Sequence, residues 1–332
     1  MKRALFLIPF LLFISCKKGK IEYQQLNGNA FGTTFNISYQ DELNRDFTKQ
    51  IDSLIYVVNK SISTYIPASN ISKINAGDVT IVVDAIFKEV FDKSERIYNE
   101  TNGFFDPTVG VLVNAWGFGP GKELENTDAS TVKKMMENVG FDKVKLVNGK
   151  IIKSNSDIHF DFNAIGKGYG VDMIGRFFEE KKCKNYRIEL GGEIRARGID
   201  LNGNYWRVWL EDPNTDGTRT INNYVRLENK SLATSGNYRK FKIGNDGRKY
   251  VHTINAKTGY ATESNLLAAT VISELDCADV DGYATAFMAM GFEKTIAFLE
   301  NHQELKVYLI YVDKNGETQT YKTEDLLVMH KQ

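Results

Sequence analysis

Cysteine is scarce in this chain, and neither sign of charge is in excess. The 332 residues include three cysteines, Cys16, Cys183 and Cys277, whose wide separation is typical of neither a disulfide framework nor a zinc cluster. The 42 lysine and arginine residues balance 42 aspartate and glutamate residues, so no overall positive field attracts nucleic acid or an anionic membrane. A charged ligand must therefore be bound by local side chains.

Long apolar runs are absent after the N-terminus. A positively charged start precedes apolar residues 4–14, which are far fewer than the roughly 20 residues needed to span a bilayer. This pattern indicates a secretory leader. The Ser15-Cys16 junction resembles a bacterial lipobox, in which Cys16 is lipidated and becomes the first mature residue. The alternative is an ordinary leader that contains an incidental cysteine.

Linkers and repeats are absent as well. The chain has only five prolines, and no repeat, low-complexity tract or Pro/Ser-rich segment divides it. We expect a signal peptide over residues 1–15, a polar tether over residues 16–20 and a single domain over residues 21–332. The domain should be exported and lipid-anchored to a bacterial membrane, facing the periplasm or the exterior.

Helical and strand patterns both occur in this domain. Apolar spacing and capping residues predict helices over residues 44–60, 84–102, 128–139, 166–181, 279–290 and 293–301. Strand patterns cover residues 21–25, 33–39, 143–147, 151–153, 186–190, 194–199, 206–210, 238–243, 249–254 and 266–273. Because strands outnumber crossover helices and hairpin turns are frequent, the pattern predicts an α+β fold dominated by antiparallel pairing.

A carboxylate and a hydroxyl are four residues apart at the start of a predicted helix. Asp281 and Thr285 would project from the same helical face, where their oxygens could hold a hard cation such as magnesium. The alternative is structural: Asp281 or Asp279 caps the helix, and Thr285 bonds to its own backbone.

A glycine-rich segment, residues 161–170, joins a polar strand end to a predicted helix start. Exposed backbone N–H groups, close-approaching glycines and the charge of Lys167 would suit a phosphate. The segment matches neither the Walker A motif nor the dinucleotide fingerprint. Glycine-rich turns are common, so this segment alone does not identify a ligand.

Two other patterns are ambiguous by themselves. His252 follows a predicted strand in a polar, turn-rich segment, where histidine can act as a base near neutral pH or serve a structural role. Aromatic residues and glycines cluster in residues 103–110 and 116–119, which could hold a flat ring system or form a core corner.

The order of these patterns along the chain resembles the ApbE family, the FAD:protein FMN transferases. The matching segments are residues 31–35, 63–65, 105–110, 116–119, 161–170, 190–193, 234–238, 252–259 and 281–285. The resemblance covers nearly the whole mature chain. It implies a T-fold-like architecture in which FAD lies between two lobes and magnesium contacts its pyrophosphate.

The resemblance also implies a role for individual residues. Asp281 and Thr285 correspond to side-chain ligands of magnesium, Ala164 to a backbone carbonyl ligand, and His252 to the family's base. The positions where the family contacts FAD are Phe31, Tyr65, Trp116, Gly117, Asp161, Lys167 and Ile254.

Three departures from the family pattern involve four positions. Phe31 replaces a usual methionine, Val251 replaces a frequent second histidine, and Asn255-Ala256 replaces the usual Asp-Pro after His252. The last two changes bear on the geometry of the loop that carries His252.

The resemblance implies a reaction and a partner. FMN would pass from FAD to a threonine or serine hydroxyl of an acceptor protein with a Ser/Thr-Gly-Ala/Ser-Thr-like motif, and AMP would leave. Such an acceptor could be a flavin-bearing subunit of a membrane redox complex. Two alternatives remain at this point: a magnesium-dependent FAD pyrophosphatase that gives FMN and AMP, and a non-catalytic FAD-binding lipoprotein.

Overall fold

The computed structural model describes residues 22–124, 127–213, 219–237, 241–243, 249–261 and 264–331. The leader and Cys16 lie outside these residues, as does the stretch 244–248 between two of the predicted strands. Within the described chain, no helix combines the length and apolar character that a membrane span requires.

Strands and helices alternate in irregular order. The helices are α1 Thr48–Ile62, α2 Asn70–Asn75, α3 Ala85–Glu100, α4 Gly110–Ala115, α5 Ala129–Met136, α6 Asn163–Glu180, α7 Cys277–Met290 and α8 Phe292–Leu299. The strands are β1 Tyr23–Ala30, β2 Thr33–Gln40, β3 Val144–Val147, β4 Lys150–Lys153, β5 Asn185–Leu190, β6 Glu193–Arg197, β7 Trp206–Pro213, β8 Arg219–Leu227, β9 Lys230–Gly236, β10 Phe241–Ile243, β11 Lys249–Val251, β12 Leu266–Ser273, β13 Lys306–Val312, β14 Thr318–Lys322 and β15 Met329–His330.

The main sheet has eight strands in the order β1-β2-β5-β6-β9-β12-β13-β14, and each adjacent pair is antiparallel. Helices α6 and α7 pack together against one face of this sheet. A second sheet, β15-β8-β7, covers part of the other face. The strand pairing confirms the predicted α+β class.

Strand β12 shows why the helices, the main sheet and the second sheet form three layers. Its side chains alternate between the two faces of the sheet. Ala269 and Val271 enter the cluster beneath the helices, whereas Ala268 and Ile272 pack against β7 and β8. Because both faces are covered, β12 is almost wholly buried and apolar.

Several boundaries of helices and strands lie where local sequence signals predicted them. Asp84 caps α3, since its side chain accepts a hydrogen bond from the Phe87 N–H at 2.8 Å. Asn148 and Gly149 join β3 to β4, and both have positive φ angles, 50° and 76°. This is the backbone conformation that favours Asn-Gly in two-residue hairpins.

Two helices begin three or more residues from their predicted starts. Helix α1 begins at Thr48, four residues late, because Asp41 accepts hydrogen bonds from the backbone N–H groups of Leu43 and Arg45 and holds that segment in a turn. Helix α6 begins at Asn163, three residues early, after the Asp161 carboxylate accepts the Asn163 N–H at 2.7 Å.

A buried ionic cluster joins β6, α6 and α7. Arg195 donates to Asp172 of α6 at 2.6 Å and to Asp276, the residue before α7, at 2.9 Å. Asp172 also accepts the N–H groups of Cys277 and Ala278, the first two residues of α7, at 2.9 and 2.8 Å. Asp172 is fully buried, so these bonds fix the start of α7 against α6.

Candidate functional site

A cavity of about 1200 Å³ opens where α6 begins, beside the turn between β5 and β6. Its volume exceeds the range of about 300–1,000 Å³ that is common for small-molecule sites. Its wall includes most of the residues singled out in the sequence: Phe31, Tyr65, Asp161, Ala164, Lys167, His252, Ile254, Asp281 and Thr285.

Three separate hydrophobic clusters contribute to this wall. Phe105 and Phe162 belong to the cluster under the helices, and Val208 belongs to the cluster between the two sheets. Ile254 belongs to a third cluster, which packs around α4. The cavity thus lies where three parts of the core meet.

Asp281 and Thr285 lie one turn apart in α7 and both line the cavity. The buried Asp281 carboxylate accepts the Gly168 N–H of α6 at 3.0 Å, and the Thr285 hydroxyl lies 3.2 Å from that of Ser235. The capping alternative is wrong, because Asp276 holds the N-cap position. Asp279 instead forms ion pairs with Lys93 and Arg96.

Lys167 lies between two buried carboxylates. Its ammonium is 3.0 Å from Glu193 Oε1 and 3.7 Å from Asp281 Oδ2. Burial disfavours the charged ammonium, but the charges of Asp281 and Glu193 outweigh it and raise the pKa of Lys167. Burial also raises the pKa of both carboxyl groups, although Lys167 counteracts it. A cation bound beside these two carboxyl groups would favour their charged forms.

The same region suits a hard cation. Within the described residues, Glu193 Oε2 is buried without a hydrogen-bond partner. Gly168, which in a regular helix would donate to the Ala164 carbonyl, donates its N–H to Asp281. The Asp281 carboxylate, the Thr285 hydroxyl and Ala164 belong to residues that line one cavity. Oxygen donors of these kinds bind magnesium.

Two glycines of the 161–170 segment allow close packing around α6. Gly168 and Gly170 lie inside α6, because that helix begins at Asn163. A Cβ on Gly170 would lie 2.6 Å from the ring of Phe31. The missing side chain therefore lets the Phe31 ring pack against α6 while Phe31 also lines the cavity. The start of α6 lines the cavity, and binding of a phosphate by this segment stays a prediction.

His252 directly follows β11 and is half-buried in the cavity wall. The loop after it is closed by Asn255. Its side chain accepts the Lys257 N–H at 2.9 Å, and its backbone N–H donates to the Tyr260 carbonyl at 2.9 Å. Asn255 therefore forms an Asx turn. The departure from Asp-Pro leaves a well-bonded loop that presents His252 to the cavity.

Comparison with known proteins shows the family of this chain. A family model described as the ApbE family matches residues 31–309. The chain belongs to the ApbE family. It is 32% identical to a protein of Haemophilus influenzae named FAD:protein FMN transferase, over 92% of this chain and 91% of that protein. A Vibrio cholerae protein of the same name is 31% identical, over 92% of this chain and 93% of that protein.

Solved structures support the same assignment. The structure titled "Flavin Transferase ApbE from Vibrio cholerae" superposes with a TM-score of 0.82 at 30% identity, covering 92% of this chain and 98% of that chain. This match confirms the expected ApbE architecture.

Two residues that the ApbE resemblance assigned to FAD, Trp116 and Gly117, are not among the described wall residues. Trp116 packs in the same hydrophobic cluster as Ile254, and its indole N–H donates to the Gly259 carbonyl at 2.9 Å. It thus supports the 252–259 loop from behind. Contact of Trp116 or Gly117 with FAD stays a prediction.

Sequence reasoning gave no role to several wall residues. Glu193 and Ser235 lie in segments that matched the ApbE pattern, so the segments were found but the side chains were not singled out. Arg207 and Trp209 also line the wall. They lie in a strand pattern that carried no functional signal.

Proposed function

We propose that the protein transfers the FMN half of FAD to a serine or threonine hydroxyl of a partner protein, with release of AMP and with magnesium as cofactor. One observation carries this proposal: His252, Lys167, Asp281 and Thr285 line a single cavity in a chain of the ApbE family. Relatives that match over nine-tenths of their length are named FAD:protein FMN transferase.

The oxygen donors that would hold magnesium are the Asp281 carboxylate, the Thr285 hydroxyl and the Ala164 carbonyl. When bound by these donors, magnesium would supply positive charge that stabilises the phosphates of FAD and of the leaving AMP. Lys167 adds a fixed positive charge beside Asp281. Glu193 holds the Lys167 ammonium in place through its 3.0 Å contact.

His252 serves as the base. It accepts the proton of the incoming hydroxyl while that oxygen bonds to the FMN-side phosphorus. The bond between this phosphorus and the bridging oxygen breaks, and AMP leaves with the bridging oxygen. No covalent enzyme intermediate is required, so positioning and charge stabilisation supply most of the acceleration.

Apolar and aromatic wall residues hold the dinucleotide. Phe31, Tyr65 and Ile254 offer flat or apolar surfaces for a ring system, and Asp161 supplies a hydrogen-bond acceptor. Burial raises the pKa of Asp161, and hydrogen bonds from Asn163 oppose this effect. Trp116 supports the 252–259 loop, and its own contact with FAD stays a prediction.

Mass analysis of an acceptor tests the proposal. The full chain is incubated with FAD, magnesium and a protein that carries a Ser/Thr-Gly-Ala/Ser-Thr-like motif, and AMP is measured in parallel. The acceptor should gain one FMN for each AMP released, and an acceptor whose final threonine is changed to valine should gain none. Free FMN and AMP with an unmodified acceptor would identify a pyrophosphatase. Bound FAD without AMP would identify a binding protein.

We also propose that the protein is exported and anchored to a bacterial membrane. The charged start, the short apolar run and Ser15-Cys16 support export and a lipid anchor at Cys16, which lies outside the described residues. An anchored enzyme would meet acceptors that are themselves held at the membrane. A flavin-bearing subunit of a membrane redox complex fits this requirement.

A further inference from the structure

The second sheet has one apolar face and one polar face. Side chains of β7 alternate, so Trp206, Val208 and Leu210 are buried against the main sheet while Arg207 and Trp209 point outward. Trp209 keeps 38% of its surface exposed. Five side chains make up what we name the cationic face: Arg207, Trp209, Tyr224, Arg226 and Lys331.

Aromatic rings hold two of the three cations of this face in place, and the third, Arg226, donates to the Asn204 side chain. The Arg207 guanidinium lies 4.7 Å from the centre of the Tyr224 ring and 5.6 Å from that of Trp209. The Lys331 ammonium lies 6.0 Å from the centre of the Trp209 ring. Contacts of this kind fix the direction of a cation but leave its charge uncompensated.

Two arginines face each other across the strand pair. Arg207 pairs directly with Arg226 in the antiparallel register of β7 and β8. Like charges in directly opposite positions destabilise a sheet. Glu228, the residue that follows β8, accepts a hydrogen bond from the Tyr205 hydroxyl. A carboxylate from outside the chain would relieve the repulsion between the arginines.

The cationic face is continuous with the candidate active site. Arg207, Val208, Trp209 and Leu210 all line the cavity, although successive side chains of a strand point to opposite faces. The strand therefore presents its edge to the cavity. In the described strand order, β15-β8-β7, this edge has no neighbouring strand. A free edge offers N–H and C=O groups to an extended polypeptide.

We propose that the cationic face is the docking surface for the acceptor protein, which presents an acidic, extended segment next to the hydroxyl that enters the cavity. This inference rests on the proposed transfer reaction. That reaction requires a polypeptide hydroxyl to reach His252 from outside, and β7 borders both the cavity and the face. A strand edge can pair with a peptide backbone, whereas a lipid headgroup would use only the charges.

A double charge reversal away from the cavity wall tests the proposal. Arg226 and Lys331 are replaced by glutamate in the full chain, and the control carries Lys145→Glu and Lys150→Glu on the exposed hairpin of β3 and β4. Both doubles change the net charge equally. The probes are two labelled peptides with a Ser-Gly-Ala-Thr core, one flanked by aspartates and the other by lysines.

Binding and transfer are measured separately. We expect the Arg226→Glu/Lys331→Glu variant to weaken binding of the aspartate-flanked peptide, and to raise its KM, by about tenfold. The KM for FAD should stay unchanged, and higher salt should reduce the difference. The control variant should behave as the wild type. Arg226→Gln with Lys331→Gln provides a milder pair if the reversal impairs folding.

Equal binding of the aspartate-flanked peptide to wild type and variant would overturn the docking proposal. So would unchanged peptide binding combined with loss of binding to vesicles of anionic phospholipid, because the face would then contact a membrane. Failure of the transfer proposal gives a different result: no peptide gains FMN with the wild type, while the binding difference is still measurable.

Discussion

Gly168 of α6 packs directly against the backbone of Cys277, the first residue of α7. A Cβ on Gly168 would lie 2.4 Å from the Cys277 carbonyl oxygen and 2.8 Å from the Cα of Ala278. Backbone atoms cannot rotate away as a flexible side chain can. The same glycine donates its N–H to Asp281, so the close approach of the two helices and the position of this carboxylate are coupled.

Gly168→Ala should therefore separate α6 from α7. We expect the free energy of unfolding to fall by about 1–3 kcal/mol, the usual cost of overpacking. Gly166→Ala is the matched control, since its Cβ would meet only Ile62 Cδ1 at 3.5 Å and alanine favours the helix. Urea denaturation of both variants measures the difference. Equal stabilities would contradict the packing argument.

Magnesium binding should depend on the charge of Asp281. Asp281→Asn keeps an oxygen that can accept the Gly168 N–H but removes the negative charge, so it should bind magnesium far more weakly than the wild type. Thr285→Ala should lose less, because a neutral hydroxyl contributes less than a carboxylate. Calorimetric titration with magnesium alone measures both affinities. A wild-type affinity in Asp281→Asn would limit Asp281 to holding α6.

His252 should serve the chemical step. His252→Ala should slow single-turnover FMN transfer by on the order of a hundred- to ten-thousand-fold, the usual contribution of general-base catalysis. FAD affinity should change far less, because the phosphate and ring contacts are assigned to other residues. Fluorescence titration with FAD and rapid-quench transfer are measured on the same protein. An equal loss of affinity and rate would make His252 a binding residue.

Acid should remove a defined part of the folding stability. Hydrogen bonds from Arg45 lower the pKa of the buried Asp41 to about 2, below its unfolded value of about 3.9. The unfolded state then binds more protons between these values, so this stabilisation is present above pH 4 and is lost as the pH falls through 2. Asp41→Asn should cost about 1–2 kcal/mol at pH 7, allowing for solvent at Arg45.

The pH series distinguishes this effect from a general loss of charge. The deficit of Asp41→Asn should shrink as the pH falls from 4 to 2, as measured by urea denaturation at each pH. The exposed Asp52→Asn variant changes the net charge equally and should show little deficit at any pH. A deficit that is constant with pH would assign the effect to packing.

The mature chain should begin at a lipid-modified Cys16. Mass analysis of the native N-terminus decides this, with Cys16→Ser as the control that should remain unprocessed and unlipidated. An unmodified N-terminus, or cleavage at another residue, would contradict the anchor.

Local sequence signals predicted the helices and strands better than they predicted the contacts between them. The Asp84 cap, the Asn148-Gly149 hairpin and the alternating strands depend on neighbouring residues, and each was found where predicted. The ionic bonds of Arg195 to Asp172 and Asp276 join residues up to 81 positions apart, so no local pattern reveals them.

The candidate site was predicted through the order of its motifs, because each motif alone had a structural alternative. That order brought out His252, Asp281 and Thr285, which share one cavity. It did not indicate that Trp116 supports a loop or that Glu193 contacts Lys167, since both roles depend on how distant segments pack.

Because three hydrophobic clusters meet at the cavity, FAD bound there would also stabilise the fold. A flavin dinucleotide in this space would touch Phe162, Val208 and Ile254 together and complete an interior that the polypeptide leaves open. Ligands that bind only the folded state raise its stability in proportion to the logarithm of their concentration above Kd. Resistance of the wild-type protein to a protease would therefore report how much FAD its surroundings supply.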